Sequence, residues 1–118
     1  MFLYYPDVFK KAQAVVDQAV GRSRLPTFSD IEKMPYITAM LRETFRWRTV
    51  APIAIPHSTI QDDVYEGYFI PKGTTVFALS HHIHMDEELY PDHTQFKPER
   101  FLDEAGQLNS LPHAGFGL

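Results

Sequence analysis

Glu43 and Arg46 stand three residues apart in the stretch Tyr36 to Trp47, YITAMLRETFRW, and they are the first residues of this chain whose types could act together. Ile37, Met40, Leu41, Thr44 and Phe45 recur at helical spacing and predict the inward face of one amphipathic helix. Glu43 and Arg46 fall on the other side, close to each other and to Ala39. The ordinary reading of such a pair is a solvated surface ion pair. A second group, His81, His82 and His84 followed by Asp86, Glu87 and Glu88, has metal-ligating types, and His81 and His84 could share a helical face. Neither a paired-histidine helix motif nor a distant third ligand accompanies it, so it reads as a short polar helix or turn with exposed imidazoles, and no metal is expected. The chain has no cysteine. Disulfides, thiolate metal sites and cysteine nucleophiles are thereby excluded within these residues.

The elements that must position these residues can be read in order. Val8, Phe9, Ala12, Val15, Val16, Ala19 and Val20 form a helical stripe, with Pro6 suited to the first turn and Gly21 placed to end it. Ser29 and Glu32 have the spacing of a capping box for a short helix, which Pro35 breaks before opening the longer one. Pro52 and Pro56 forbid further helix, and Val50, Ile53 and Ile55 favour an extended segment that lies at a sheet edge or lines a cavity. Val64 to Ile70 and Thr74 to Leu79 read as two strands of a hairpin turning at Pro71, Lys72 and Gly73. From Tyr90 to Pro112 the prolines, Asp103, Gly106 and Asn109 predict a meander anchored by Phe96, Phe101 and Leu102.

At 118 residues the chain has room for one modest domain, and its 44% hydrophobic content is that of a folded protein. A net charge of -4 without any basic run argues against nucleic acid as a partner. No apolar run reaches the length of a membrane span, and the start MFLYYPDVF lacks the pattern of a signal peptide.

Four stretches, in order, resemble the C-terminal half of a cytochrome P-450, the haem-thiolate monooxygenase family. ETFR, Glu43 to Arg46, is similar to the family's E-x-x-R helix motif, and GYFIPKGTTV, Gly67 to Val76, to its core hairpin. HMDEELYPDHTQFKPERF, His84 to Phe101, resembles the segment leading into P-E-R-F, and Phe116 and Gly117 resemble the opening of the haem-binding loop. The implied fold is an α+β piece of the mainly helical P-450 architecture: a K-helix region, a small antiparallel sheet and a meander, forming one partial domain over residues 1–118. The resemblance further implies a buried network of Glu43, Arg46 and Arg100 with a structural role, since a buried ion pair is tolerable only when its remaining donors and acceptors are satisfied.

By the same resemblance His57 would bond a haem propionate, Phe116 and Gly117 would contact the cofactor, and Val50, Ala51, Ile53 and Ala54 would line a cavity for a small apolar substrate. No residue here is implied to be a chemical catalyst; the catalytic centre would be the iron of haem b, supplied with electrons from NADPH through a reductase partner. The family's axial cysteine would be expected just beyond Leu118, so the chain reads as a fragment or truncated gene model, inactive alone. A membrane association through an N-terminal anchor outside these residues, and an endoplasmic-reticulum location, are expected if the protein is of the microsomal type. The competing expectation is a non-catalytic truncated product or binding module.

Overall fold

The computed structural model describes residues 3–112. Helix α1 runs Pro6–Val20 with proline in its first turn. Gly21, at φ 77°, ends it, and its N–H donates to the Asp17 carbonyl at 3.0 Å. Left-handed backbone costs glycine little, which is why the helix stops at the predicted residue.

A short 3-10 helix of two turns, Phe28–Lys33, follows. Its carboxylate is Asp30 rather than Glu32, two residues earlier than the expected Ser29 and Glu32 box. Asp30 accepts the Thr27 backbone N–H at 2.9 Å and the Thr27 hydroxyl at 2.8 Å. Both of its oxygens also take the Arg24 guanidinium, at 2.7 and 2.8 Å. Asp30 is buried, whereas Ser29 and Glu32 are exposed. A carboxylate closed by four donors outcompetes one that would face only water.

Helix α2, Pro35–Trp47, has the predicted bounds but the opposite inward face. Tyr36, Ala39, Glu43 and Arg46 are its buried residues, while Leu41, on the apolar stripe, is 53% exposed. Ile37, Met40, Thr44 and Phe45 are half-buried. The polar face turns inward because the meander covers it and offers a partner to each charged group.

Residues 50–56 form no strand. They turn, with Ala54 at φ 51° and its N–H bonded to the Ala51 carbonyl at 3.0 Å. The expected single hairpin is also two separate ladders. Strand β1, His57–Ser58, pairs antiparallel with β4, Thr75–Val76, and β2, Asp63–Tyr65, pairs with β3, Tyr68–Ile70. Val64 to Ile70 therefore folds back on itself at Glu66 and Gly67, whose φ angles of 49° and 84° are those of a two-residue hairpin turn. The turn at Pro71 and Gly73 leads instead to β4 and is bound to Thr59, whose hydroxyl donates to the Pro71 carbonyl at 2.8 Å.

Helix α3, Ser80–His84, opens the descent into the meander, which contains a 3-10 turn at Pro98–Phe101. Among the described residues one packed apolar cluster joins Ala39, Tyr90 and Phe101, with Leu102 and Leu111 against it. Phe96 is buried beside Tyr5 and Trp47 in an aromatic cluster, with centroids 5.1 and 5.7 Å away. The radius of gyration, 18.2 Å, exceeds the roughly 13.5 Å of a compact domain of this length. Specific polar contacts must therefore carry much of the positioning.

The Arg24 guanidinium, with the Thr27 donors, holds the Asp30 carboxyl well below the usual carboxylate range. Its stabilisation is present above the carboxylate's unfolded value and is lost as pH falls toward the folded one. Asp30→Asn is expected to lower the melting temperature at pH 7, with the gap from wild type starting to narrow as the pH of the thermal melt is taken below about 4.

Candidate functional site

The inward face of α2 carries an ion network. Arg46 grips Glu43 with two parallel hydrogen bonds, Nε to Oε2 at 2.6 Å and Nη2 to Oε1 at 2.8 Å. Arg100, delivered by the Pro98–Phe101 turn, places Nε 3.2 Å from both Glu43 oxygens. The Lys97 backbone N–H adds a further donor to Oε1 at 2.8 Å. Glu43 and Arg46 are 0% and 1% exposed, so this carboxylate is neutralised by protein alone.

Two guanidiniums against one carboxylate leave an excess positive charge, which the loops answer with carbonyl oxygens. Arg46 donates to the carbonyls of His84 at 2.9 Å and Gln95 at 3.2 Å. Arg100 donates to those of Pro91 at 2.8 Å and Asp92 at 3.3 Å. Asp92 has φ 54°, an uncommon left-handed value that belongs to the bend presenting these oxygens. Asn109 closes the far side, its amide donating to the Arg100 carbonyl at 2.8 Å. Ala39, fully buried on the same face, leaves room for Tyr90 and Phe101 to approach.

His84 is the residue that the sequence placed wrongly. Its imidazole is buried rather than exposed, with Nδ1 2.6 Å from the Thr49 hydroxyl. Burial, then the Arg46 charge, push its pKa below the ordinary histidine value. His81 and His82 remain exposed, and no group of residues able to hold a metal ion occurs among the described residues. Thr49, Gln95 and Asn109 also take part unannounced, because backbone acceptors and short polar side chains leave no spacing signal.

The remaining candidates lie apart from this network. His57 is exposed at the start of β1, opposite Val76. Val50 and Ile53 are 73% and 54% exposed, and Ala51 and Ala54 are half-buried, in the turn before β1. Phe116 and Gly117 lie outside the described residues.

A helical Glu-x-x-Arg pair closed by the arginine of a later meander is the defining feature of this α+β segment. The chain belongs to the cytochrome P-450 family, whose sequence profile matches residues 1–118. It is 50% identical over 111 residues to cytochrome P-450 monooxygenase 58 of Postia placenta, covering 94% of this chain and 21% of that protein. A cytochrome P-450 monooxygenase of Armillaria gallica is also 50% identical over 111 residues, covering 93% of this chain and 21% of the relative. Cytochrome P-450 monooxygenase COX2 of Coprinopsis cinerea is 53% identical over 98 residues, covering 83% of this chain and 19% of its own length. The chain thus spans about a fifth of the length of these relatives.

Removing one partner of a buried pair strands the other charge, at a cost of about 3–5 kcal/mol. Glu43→Ala and Arg46→Ala are each expected to destabilise by that amount in denaturant titrations. The double variant should cost clearly less than the sum, because the stranded charge is removed with its partner.

Proposed function

We propose that this chain is a segment of a haem-dependent monooxygenase that inserts one oxygen atom of dioxygen into a small apolar organic molecule. The observation that carries this reading is the satisfied Glu43, Arg46 and Arg100 network, which fastens the meander to α2. In the proposed protein its role is structural, holding the backbone that leads to the haem-binding loop. Phe116 and Gly117 would belong to that loop.

The described residues suit one margin of such a cofactor. His57 is exposed and can donate a ring N–H to a carboxylate, the group a haem propionate presents. Val50, Ala51, Ile53 and Ala54 supply small aliphatic surface in the segment just before it, as an apolar substrate wall requires. Bound haem supplies the iron at which dioxygen is activated, with electrons passed from NADPH by a reductase. The axial thiolate is not among these residues, which contain no cysteine. No helix among the described residues is long and apolar enough to cross a membrane. A place at the endoplasmic-reticulum membrane is part of this proposal through a separate anchor.

A reduced carbon-monoxide difference spectrum of the longer, haem-loaded protein that contains this segment and its axial cysteine tests the reading. A band of thiolate-ligated haem is expected, and failure to take up haem would overturn it. Loss of one hydrogen bond to a charged group, about 1.5–3 kcal/mol, corresponds to about a ten- to hundredfold change in affinity. His57→Ala should therefore lose haem to an apo-globin acceptor faster in that range, while His57→Arg should retain it.

A further inference from the structure

His84 is fastened to α2 at both its main chain and its ring. Its carbonyl takes Arg46 Nη1 at 2.9 Å, and its Nδ1 lies 2.6 Å from the hydroxyl of Thr49, two residues beyond the end of α2. That hydroxyl also reaches the Arg46 carbonyl at 3.3 Å. One turn back, the His81 N–H donates to the Pro52 carbonyl at 3.0 Å. Helix α3 is thus a short strut, with His84 at α2 and His81 at the 50–54 segment.

A second proton on the ring would find no acceptor among the described residues. Nε2 is buried without a hydrogen-bond partner among the described residues. Thr49 has a single hydroxyl proton, so it bonds Nδ1 in either neutral tautomer, but an imidazolium would carry an unmet N–H at Nε2. The charged groups around the ring are Arg46 and Glu43 from α2 and His81 from α3. On the meander side stands the Tyr90 phenol, edge-on with centroids 6.3 Å apart and itself near Arg46, Glu43, Arg100 and Asp86. Arg46 and His81 oppose a proton on His84 and only Glu43, already shared by two guanidiniums, favours it.

We propose that His84 is an acid-sensitive clasp: its neutral buried ring joins α3 to the end of α2, and proton uptake on opening releases α3 together with the 50–54 segment bonded to it. The clasp stands on these contacts; its meaning as control over a cavity wall rests on the proposed function. Because the folded value is depressed, the clasp is at full strength above the unfolded histidine value, about 6.5. It weakens as pH falls from there toward the folded value, the opening constant rising by at most about tenfold per pH unit for one proton.

Amide hydrogen exchange of peptides covering residues 50–56 and 80–86 in the protein, between pH 8 and 5 and corrected for intrinsic rates, tests this. Wild type is expected to show the one-proton rise below about pH 6.5, and His84→Gln, which cannot titrate, a flat profile. A flat wild-type profile, or the same slope in His84→Gln, would overturn the clasp. If His84→Gln does not fold, imidazole nitrogen spectra of wild type decide the matter. The His84 ring should stay neutral below the ordinary histidine value of about 6.5, and protonation of His84 at or above that value would overturn the proposal. Neither readout uses haem or substrate, so failure of the clasp and failure of the monooxygenase reading are separately visible.

Discussion

A carboxylate removed from water must find every one of its partners inside the protein, and Glu43 imposes that requirement on most of this chain. Two guanidiniums and one backbone N–H meet its oxygens. The remaining guanidinium N–H groups need acceptors, and main-chain carbonyls supply them. The route of the chain from His84 through Gln95 to Arg100 is therefore set by where four carbonyl oxygens must point. Irregular backbone is what makes this possible, since a regular helix or sheet would have used those oxygens for itself. The meander is ordered by polar closure more than by apolar burial, beside the packed apolar cluster of Ala39, Tyr90 and Phe101.

That closure explains why α2 turns its polar side inward. Hydrophobic periodicity weighs side-chain type and has no access to partners some forty to sixty residues away. Ile37, Met40, Leu41, Thr44 and Phe45 predicted one face, and the structure buried Tyr36, Ala39, Glu43 and Arg46. The E-x-x-R spacing, by contrast, held the essential information, because three residues on a helix bring a glutamate and an arginine into fork geometry. Bounds were legible for the same kind of local reason. Pro6, Gly21 and Pro35 each act through φ or a missing donor, within one or two residues of themselves.

What escaped the sequence was decided by competition or distance. Two overlapping capping patterns were available, and Arg24 settled the choice in favour of Asp30, which a search for the Ser/Thr and Glu pattern would pass over. The Glu66 and Gly67 turn was hidden inside a run rich in β-branched and aromatic residues, so one strand was expected where two pair with each other. His84 carried no mark distinguishing it from His81 and His82. Only the approach of Thr49 and Arg46 makes one imidazole of the three a buried, neutral group. Within the cytochrome P-450 family this chain is thus a scaffold segment whose chemistry of interest is the chemistry of holding.

Guanidinium geometry, and not charge alone, ties the meander to α2. The most direct measurement is amide exchange at Lys97, whose N–H is bonded to Glu43 Oε1 at 2.8 Å, in wild type and in Arg46→Lys. Lysine keeps the charge but cannot grip both carboxylate oxygens while reaching the His84 and Gln95 carbonyls. Exchange at Lys97 is expected to rise by about tenfold or more, as loss of one charge-assisted hydrogen bond of about 1.5–3 kcal/mol requires. Unchanged protection of Lys97 in Arg46→Lys would contradict it, showing that any cation at this position suffices to hold the meander.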